Sequence, residues 1–205
     1  MAFNYNDVPL PHYELIPNGT IATVRMHIRP GGVGEDGMLT RSGKGAEMLS
    51  VEYTVIDGEF AKRKFWEYLV LDGVTSGQKD MAESNRKKLR AMIDSAFGLK
   101  GKDNSPEARA IRTKDLKGFE GLTCVVRVGV EKGAPKRDSN GNLTGENYDD
   151  KNIVAAVITP DNQRDWHPVE QAPPFNNVGG AAAIGTASAS ASTPALPVTR
   201  PNWAE

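Results

Sequence analysis

One cysteine, three histidines and no long apolar run set the first limits on this chain of 205 residues. With Cys124 alone no intramolecular disulfide can form, which points to a reducing compartment. Cys124 stands in an apolar segment without a histidine near it in sequence. A thiol nucleophile needs an activating base, so Cys124 reads as a small buried hydrophobe. His12, His27 and His167 share no metal-ligand spacing, and no Ser/His/Asp set or isolated carboxylate pair stands out, so neither a metal centre, a cofactor nor an enzyme is expected. No segment approaches the roughly 18 apolar residues of a membrane span, and the first ten residues show no basic leader ahead of an apolar stretch, so a soluble intracellular protein is expected. An excess of charge of one sign is missing too. Lys and Arg total 25 against 26 acids, a net charge of -1, so there is no global basic signature, and any face for a polyanion must be a local patch.

The 39% of apolar residues suffices for one good core, and one domain with a tail is expected. Residues 1–19, with Pro9, Pro11 and Pro17, suit an extended arm. From residue 20 to 28, Ala22, Val24, Met26 and Ile28 alternate with Thr23, Arg25 and His27, the period of a strand with one buried face. Residues 29–46 hold six glycines, and their composition predicts a loop without regular structure. A second strand is predicted over 47–56, with Leu49, Val51, Tyr53 and Val55 on one side and Ser50, Glu52 and Thr54 on the other. Asp57-Gly58 signals a turn, and a third strand follows over 62–71. The period then lengthens. Leu89, Met92, Ile93, Ala96 and Phe97 recur at helical spacing within 76–97, with Gly98 as the stop. Ser105-Pro106-Glu107 opens a short second helix through Arg112. A fourth strand is predicted over 121–130 and a fifth over 152–158; between them, 131–150 is polar, with a hairpin-type turn or flexible loop at Asp138-Ser139-Asn140-Gly141.

Strand, strand, strand, helix, strand, strand is the order of an OB-fold, whose ligand face lies on its second and third strands between two flanking loops. Those two loops are the long ones here, against a usual connection of about 4–6 residues. The expected fold is therefore mainly β: an OB-like five-stranded barrel over 20–170 with one helix between strands three and four. An Ala/Ser/Pro-rich tail over 171–205, too poor in large apolar residues to order itself, completes the expectation.

The third predicted strand has a basic and aromatic face: Lys62, Lys64, Trp66 and Tyr68 alternate with Phe65, Leu69 and Leu71. Cations for phosphates and flat rings for exposed bases are what binding of single-stranded nucleic acid requires. Arg25 and His27 extend the same surface, and Arg41 and Lys44 in the glycine-rich loop can close over it. His27 on its own reads more simply as a strand residue. The bland alternative is that Trp66 packs under the arm or tail while the lysines only solubilise an exposed face. The run Arg86-Lys87-Lys88-Arg90 reads as a solvated helix face. Gly31-Gly32-Val33-Gly34 lacks the endings of a phosphate-binding loop, and Asp138-x-Asn140-x-Asn142 lacks the glycine and glutamate of a calcium loop.

Three segments carry a resemblance: Leu15-Ile16-Pro17-x-Gly19-Thr20, the stretch 52–66 with its Asp57-Gly58 turn and Lys62-Arg63-Lys64-Phe65-Trp66 ending, and Asp165-Trp166-His167-Pro168. Over about the first 170 residues the chain resembles a family of short phage and prophage proteins with OB-like domains, some of which bind single-stranded DNA. The tail, ending Pro201-Asn202-Trp203-Ala204-Glu205, is similar in layout to that of bacterial single-stranded DNA-binding proteins, which display a C-terminal peptide to partner enzymes. Their tip is strongly acidic, whereas this one has one Glu and one Arg. The resemblance implies coating of single-stranded DNA in replication or recombination in a bacterial host's cytoplasm, without catalysis. Replication or recombination proteins would be recruited through Trp203 and Glu205, and homo-oligomerisation is left open. The alternative is an OB-fold protein-interaction module with no affinity for nucleic acid.

Overall fold

The computed structural model describes residues 14–113 and 115–171, all within Met1–Phe175, one of the two units into which the chain divides. Most of the arm and of the tail, including Trp203 and Glu205, lie outside the described residues.

The alternation in the sequence becomes strands. β1 (Ile21–Ile28), β3 (Glu47–Val55), β4 (Lys64–Asp72), β5 (Thr123–Glu131) and β8 (Lys151–Val157) carry the core, and β2 (Leu39–Arg41) adds a short edge. Together they form one antiparallel six-stranded sheet in which β4 pairs with β3, β3 with β1, β1 with β5 and β5 with β8, while β2 pairs with the start of β3. Val24, Met26 and Ile28 face Leu49, Val51, Tyr53, Val55, Cys124, Val126 and Val128 in one buried cluster. Burying each such side chain contributes about 1.5–3 kcal/mol, and that term holds the register, because a slip of one residue would turn every apolar group outward.

The fold is mainly β, with an open sheet and two helices. Its end strands, β4 and β8, approach each other, but no ladder joins them among the described residues. The closed barrel expected from the sequence is not shown. A helix stands at the seam instead. α1 (Ser76–Phe97) begins at a capping box between Thr75 and Gln78 and ends at Gly98, whose φ of 68° is the left-handed conformation that glycine adopts without strain. From α1, Asn85 Nδ2 donates to the Val70 carbonyl at 3.1 Å and Arg86 to that of Leu71 at 2.6 Å, both on β4. Lys88 Nζ donates to the Val154 carbonyl of β8 at 2.9 Å and meets Glu67 of β4 at 3.2 Å. Side chains thus satisfy edge carbonyls that a strand ladder would otherwise take.

Two predicted loops contain regular structure. In 29–46 the glycines build a tight return, with Gly32 N bonded to Gly37 O and Val33 bridged to Leu39, so that β2 can join β3. A Cβ on Gly31 would stand 2.1 Å from Thr40 Oγ1, so the close approach requires glycine. In 131–150, β6 (Pro135–Arg137) and β7 (Leu143–Asn147) form a separate hairpin. Asp138 Oδ1 accepts from the backbone of Asn140 and Asn142 at its turn, which draws the carboxyl below its ordinary value.

α2 (Pro106–Arg112) starts where Ser105 Oγ accepts from Ala108 N, and a 3-10 turn (Leu116–Phe119) leads into β5. The segments that flank the sheet are tied down. Asn152, buried, accepts from Ile16 N at 2.9 Å and donates to the carbonyls of Ile16 and Gly129. After β8, Asp165 pairs with Arg127 at 2.9 Å, Trp166 Nε1 donates to Ser95 O, His167 Nε2 lies 3.0 Å from Thr23 Oγ1, and the Gln171 amide binds Thr123 and Ala96. Residues 165–171 form a strap over the start of β1. No helix among the described residues is long and apolar enough to cross a membrane.

Candidate nucleic-acid interface

The outward residues of β1, β3 and β4 line up across the strands. Arg25 stands opposite Thr54 and Thr54 opposite Lys64; His27 opposite Glu52 and Glu52 opposite Trp66; Ser50 opposite Tyr68, with Arg29 N bonded to Ser50 O just beyond β1. Three short rows of side chains share one face. The strap covers one end, through His167 on Thr23, and Ala82 of α1 covers Val70 at the other. Between them the rings stay open. Trp66 is 47% and Tyr68 65% exposed.

Glu52 is the centre of this window. It is buried, yet Lys64 Nζ donates to its Oε1 at 2.6 Å, and Arg29 and Trp66 Nε1 donate to its Oε2 at 2.7 and 2.9 Å. The Lys64 hydrogen bond is the largest influence. With those of Arg29 and Trp66 it outweighs the desolvation that opposes it, and holds the carboxyl at about 2 against an ordinary 4.5. The guanidinium of Arg29 lies 5.6 Å from the centre of the Trp66 ring. Trp66 is therefore fixed at its indole N–H and stacked by a cation, while Tyr68 has no such partner among the described residues.

The sequence-predicted residues divide into two groups. Arg25, His27, Lys64, Trp66 and Tyr68 come together on this face. His27, half exposed, is tied to Glu120 at 2.5 Å. Arg25 is part-buried, with an Nε that has no hydrogen-bond partner among the described residues, and it lines a cavity of about 440 Å3 beneath the strap together with Asp57, His167 and Glu170. Lys62 is not on the strand. β4 begins two residues later, and Lys62 sits in the turn with a φ of 71°, where it and Arg63 both face Val55 in a bulge that breaks the alternation. Its side chain nevertheless lines a groove of about 740 Å3 along the β4–β8 seam, with Lys64, Trp66, Tyr68 and Lys151.

Arg41 and Lys44 are not brought to the window. Arg41 pairs with Glu47 at 2.6 Å, five residues from Glu52 along β3 and so roughly 17 Å away, and Lys44 is exposed in the turn that follows. No protein-family model matches this chain, and no curated protein matches it.

Glu52 and Arg29 are the site residues that sequence reasoning missed. Glu52 was visible as a polar position of the second predicted strand, but only the cross-strand register shows that it meets Trp66. Arg29 lay in a predicted loop, although it continues the phase of Arg25 and His27. The helix run is the exposed face that was expected at Arg86, Lys87 and Arg90, and departs from it at Lys88, which is partly buried. Lys87 is exposed and pairs with Glu83, whereas Arg86, Lys88 and Arg90 bind backbone carbonyls or carboxylates of neighbouring segments.

Proposed function

We propose that this protein binds single-stranded DNA on the β1–β3–β4 face, acting without catalysis on strands exposed in replication or recombination. The observation that carries this reading is the pair of exposed rings, Trp66 and Tyr68, two residues apart on one strand and flanked by Lys64 and Arg29. Bases stack on the rings while the cations attract phosphates, and neither contact depends on sequence. The strand order supports an OB-like reading, in which the β4–β8 seam is the unclosed side of the barrel and its groove continues the binding path. Recruitment of replication or recombination proteins through Trp203 and Glu205 belongs to the same proposal, as does action in the cytoplasm of a bacterial host.

Titration of a fluorescein-labelled oligothymidylate at several salt concentrations tests it. Tyr68→Ala is the cleanest variant, because Tyr68 is exposed and loses no hydrogen-bond partner among the described residues; it weakens binding by about 1–3 kcal/mol. Trp66→Phe keeps the ring and retains most of the affinity. No binding at low salt, or no effect of Tyr68→Ala combined with Lys64→Ala, would overturn the proposal.

One observation favours a second reading, a protein-interaction module without nucleic-acid affinity: His27, Arg29, Lys64 and Arg41 are each already paired with a carboxylate. Capture of a protein partner that is insensitive to salt, from a chain that leaves the oligonucleotide free, would decide for it.

A further inference from the structure

A cavity of about 650 Å3 lies where α1, α2 and the 3-10 turn meet the end of β4, and it shares no lining residue with the groove beside Trp66. Its floor is apolar: Leu89 and Ile93 from α1 and Phe119 are 4–6% exposed, with Leu71 and Leu116 partly buried beside them. Its rim is cationic. Arg86 and Arg90 stand one turn apart on α1, Arg109 and Arg112 one turn apart on α2, and no Asp or Glu lines the cavity.

The four arginines are not equivalent. Arg112 Nε binds Asp94 Oδ1 at 2.6 Å, and its other nitrogens bind the carbonyls of Asp103 and Lys100, so it ties the 100–103 turn to α1. Arg90 reaches the other Asp94 oxygen at 3.8 Å and the Gly101 carbonyl at 3.0 Å. That single carboxylate already faces two guanidinium groups. The Arg86 guanidinium donates only to a carbonyl, and that of Arg109 has neither a hydrogen-bond nor an ion-pair partner among the described residues. Among the described residues neither guanidinium makes an ion pair: Glu83, the acid that feels the charge of Arg86, is paired with Lys87, and Arg109 on the opposite wall meets no carboxylate.

We propose that this cavity is a docking site for an acidic peptide segment of a partner protein, seated with one large apolar side chain on the Leu89–Ile93–Phe119 floor and carboxylates on Arg86 and Arg109. Arginine suits the role, because its planar fork meets a carboxylate with two parallel hydrogen bonds. Nucleic acid suits it less: Phe119 is the one ring in the lining, against the two exposed rings that stand two residues apart on the sheet face. The site is independent of the oligonucleotide face and does not rest on it.

The test uses the full chain and a short fluorescein-labelled peptide in which a Leu-Phe pair is flanked by aspartates, followed by anisotropy. Arg109→Glu, which breaks no side-chain hydrogen bond or ion pair among the described residues, weakens peptide binding by about tenfold or more, and Arg109→Gln gives a smaller loss in the same direction. A peptide with serines in place of Leu-Phe binds weakly, and oligothymidylate does not displace the original peptide. Arg109→Glu leaves oligonucleotide binding as it was, so a failure of the Trp66 reading is told apart from a failure of this one. The inference is overturned if the unaltered chain does not bind the peptide, if Arg109→Glu binds it equally well, if the serine peptide is equivalent, or if oligothymidylate competes.

Discussion

Glu52 decides how much of the window's positive charge is available to a ligand. It is the one carboxylate that Lys64, Arg29 and Trp66 all share, so it positions them and at the same time partly neutralises them. Its folded-state value is depressed, so the stability it adds is fully present above its unfolded value of 4.5 and is lost as pH falls towards about 2. Because Lys64 and Arg29 are half exposed, solvent screening reduces that contribution to about 1–2 kcal/mol. Glu52→Gln therefore lowers stability at pH 7 by about that amount and flattens the stability profile between pH 4.5 and 2, measured by urea denaturation at a series of pH values. If the window binds phosphates, the same variant tightens oligonucleotide binding, since two cations are released. Lys62 makes a separate case at this scale. A lysine in the left-handed region costs roughly 1 kcal/mol that glycine does not, so Lys62→Gly raises the denaturation midpoint even though it removes a charge. Neither point was readable in the sequence. Alternation places Glu52 and Lys62 in rows, but the register that brings Glu52 to Trp66 and the bulge that takes Lys62 off the strand are set by pairing with other strands.

At the scale of elements, α1 shows why its position in the chain was legible and its contacts were not. The 3.6-residue period of Leu89, Met92, Ile93 and Ala96 marks a buried stripe, and Gly98 marks its end. That period cannot say that the flank of the helix meets the free edges of two strands. Lys88 and Lys87, adjacent in sequence, have opposite fates for this reason. Lys88 is 23% exposed at the side chain and lies between Glu67, itself 10% exposed, and the Val154 carbonyl, while Lys87 is 74% exposed beside Glu83. Removing one partner of a buried pair leaves the other charge uncompensated, at a cost of about 3–5 kcal/mol for full burial. Lys88→Ala is expected to approach the lower part of that range in urea denaturation, and Lys87→Ala to change stability by no more than about 0.5 kcal/mol. Equal effects would mean that α1 does not brace the seam. The short strands are a different case: the Asp138–Gly141 turn between β6 and β7 was legible as a hairpin-type turn or a flexible loop, but β2, β6 and β7 themselves are held by turn geometry and backbone pairing and bury too few apolar side chains to leave an alternating pattern.

For the whole molecule, a net charge of -1 constrains the binding mode as firmly as any residue. Long-range attraction of a polyanion requires an excess of positive charge, and the chain as a whole has none. Local cations must therefore do the work, and Arg25, Arg29 and Lys64 are those on the face, with Glu52 and Glu120 close by. Contact with two or three phosphates predicts a slope of log affinity against log salt of about −1.4 to −2.1 for a single strand. Stacking on Trp66 and Tyr68 must then supply most of the remaining affinity, and that part is insensitive to salt. The oligothymidylate titration separates the two contributions directly. Lys64→Ala should make the slope shallower by about 0.7 and Tyr68→Ala should shift the line down without changing its slope. A slope steeper than about −4 would require more phosphate contacts than this face can make, and would place the DNA on the arginine-rimmed cavity as well. A slope of zero with measurable affinity would leave stacking alone, and the lysine of the window would have no ligand but Glu52.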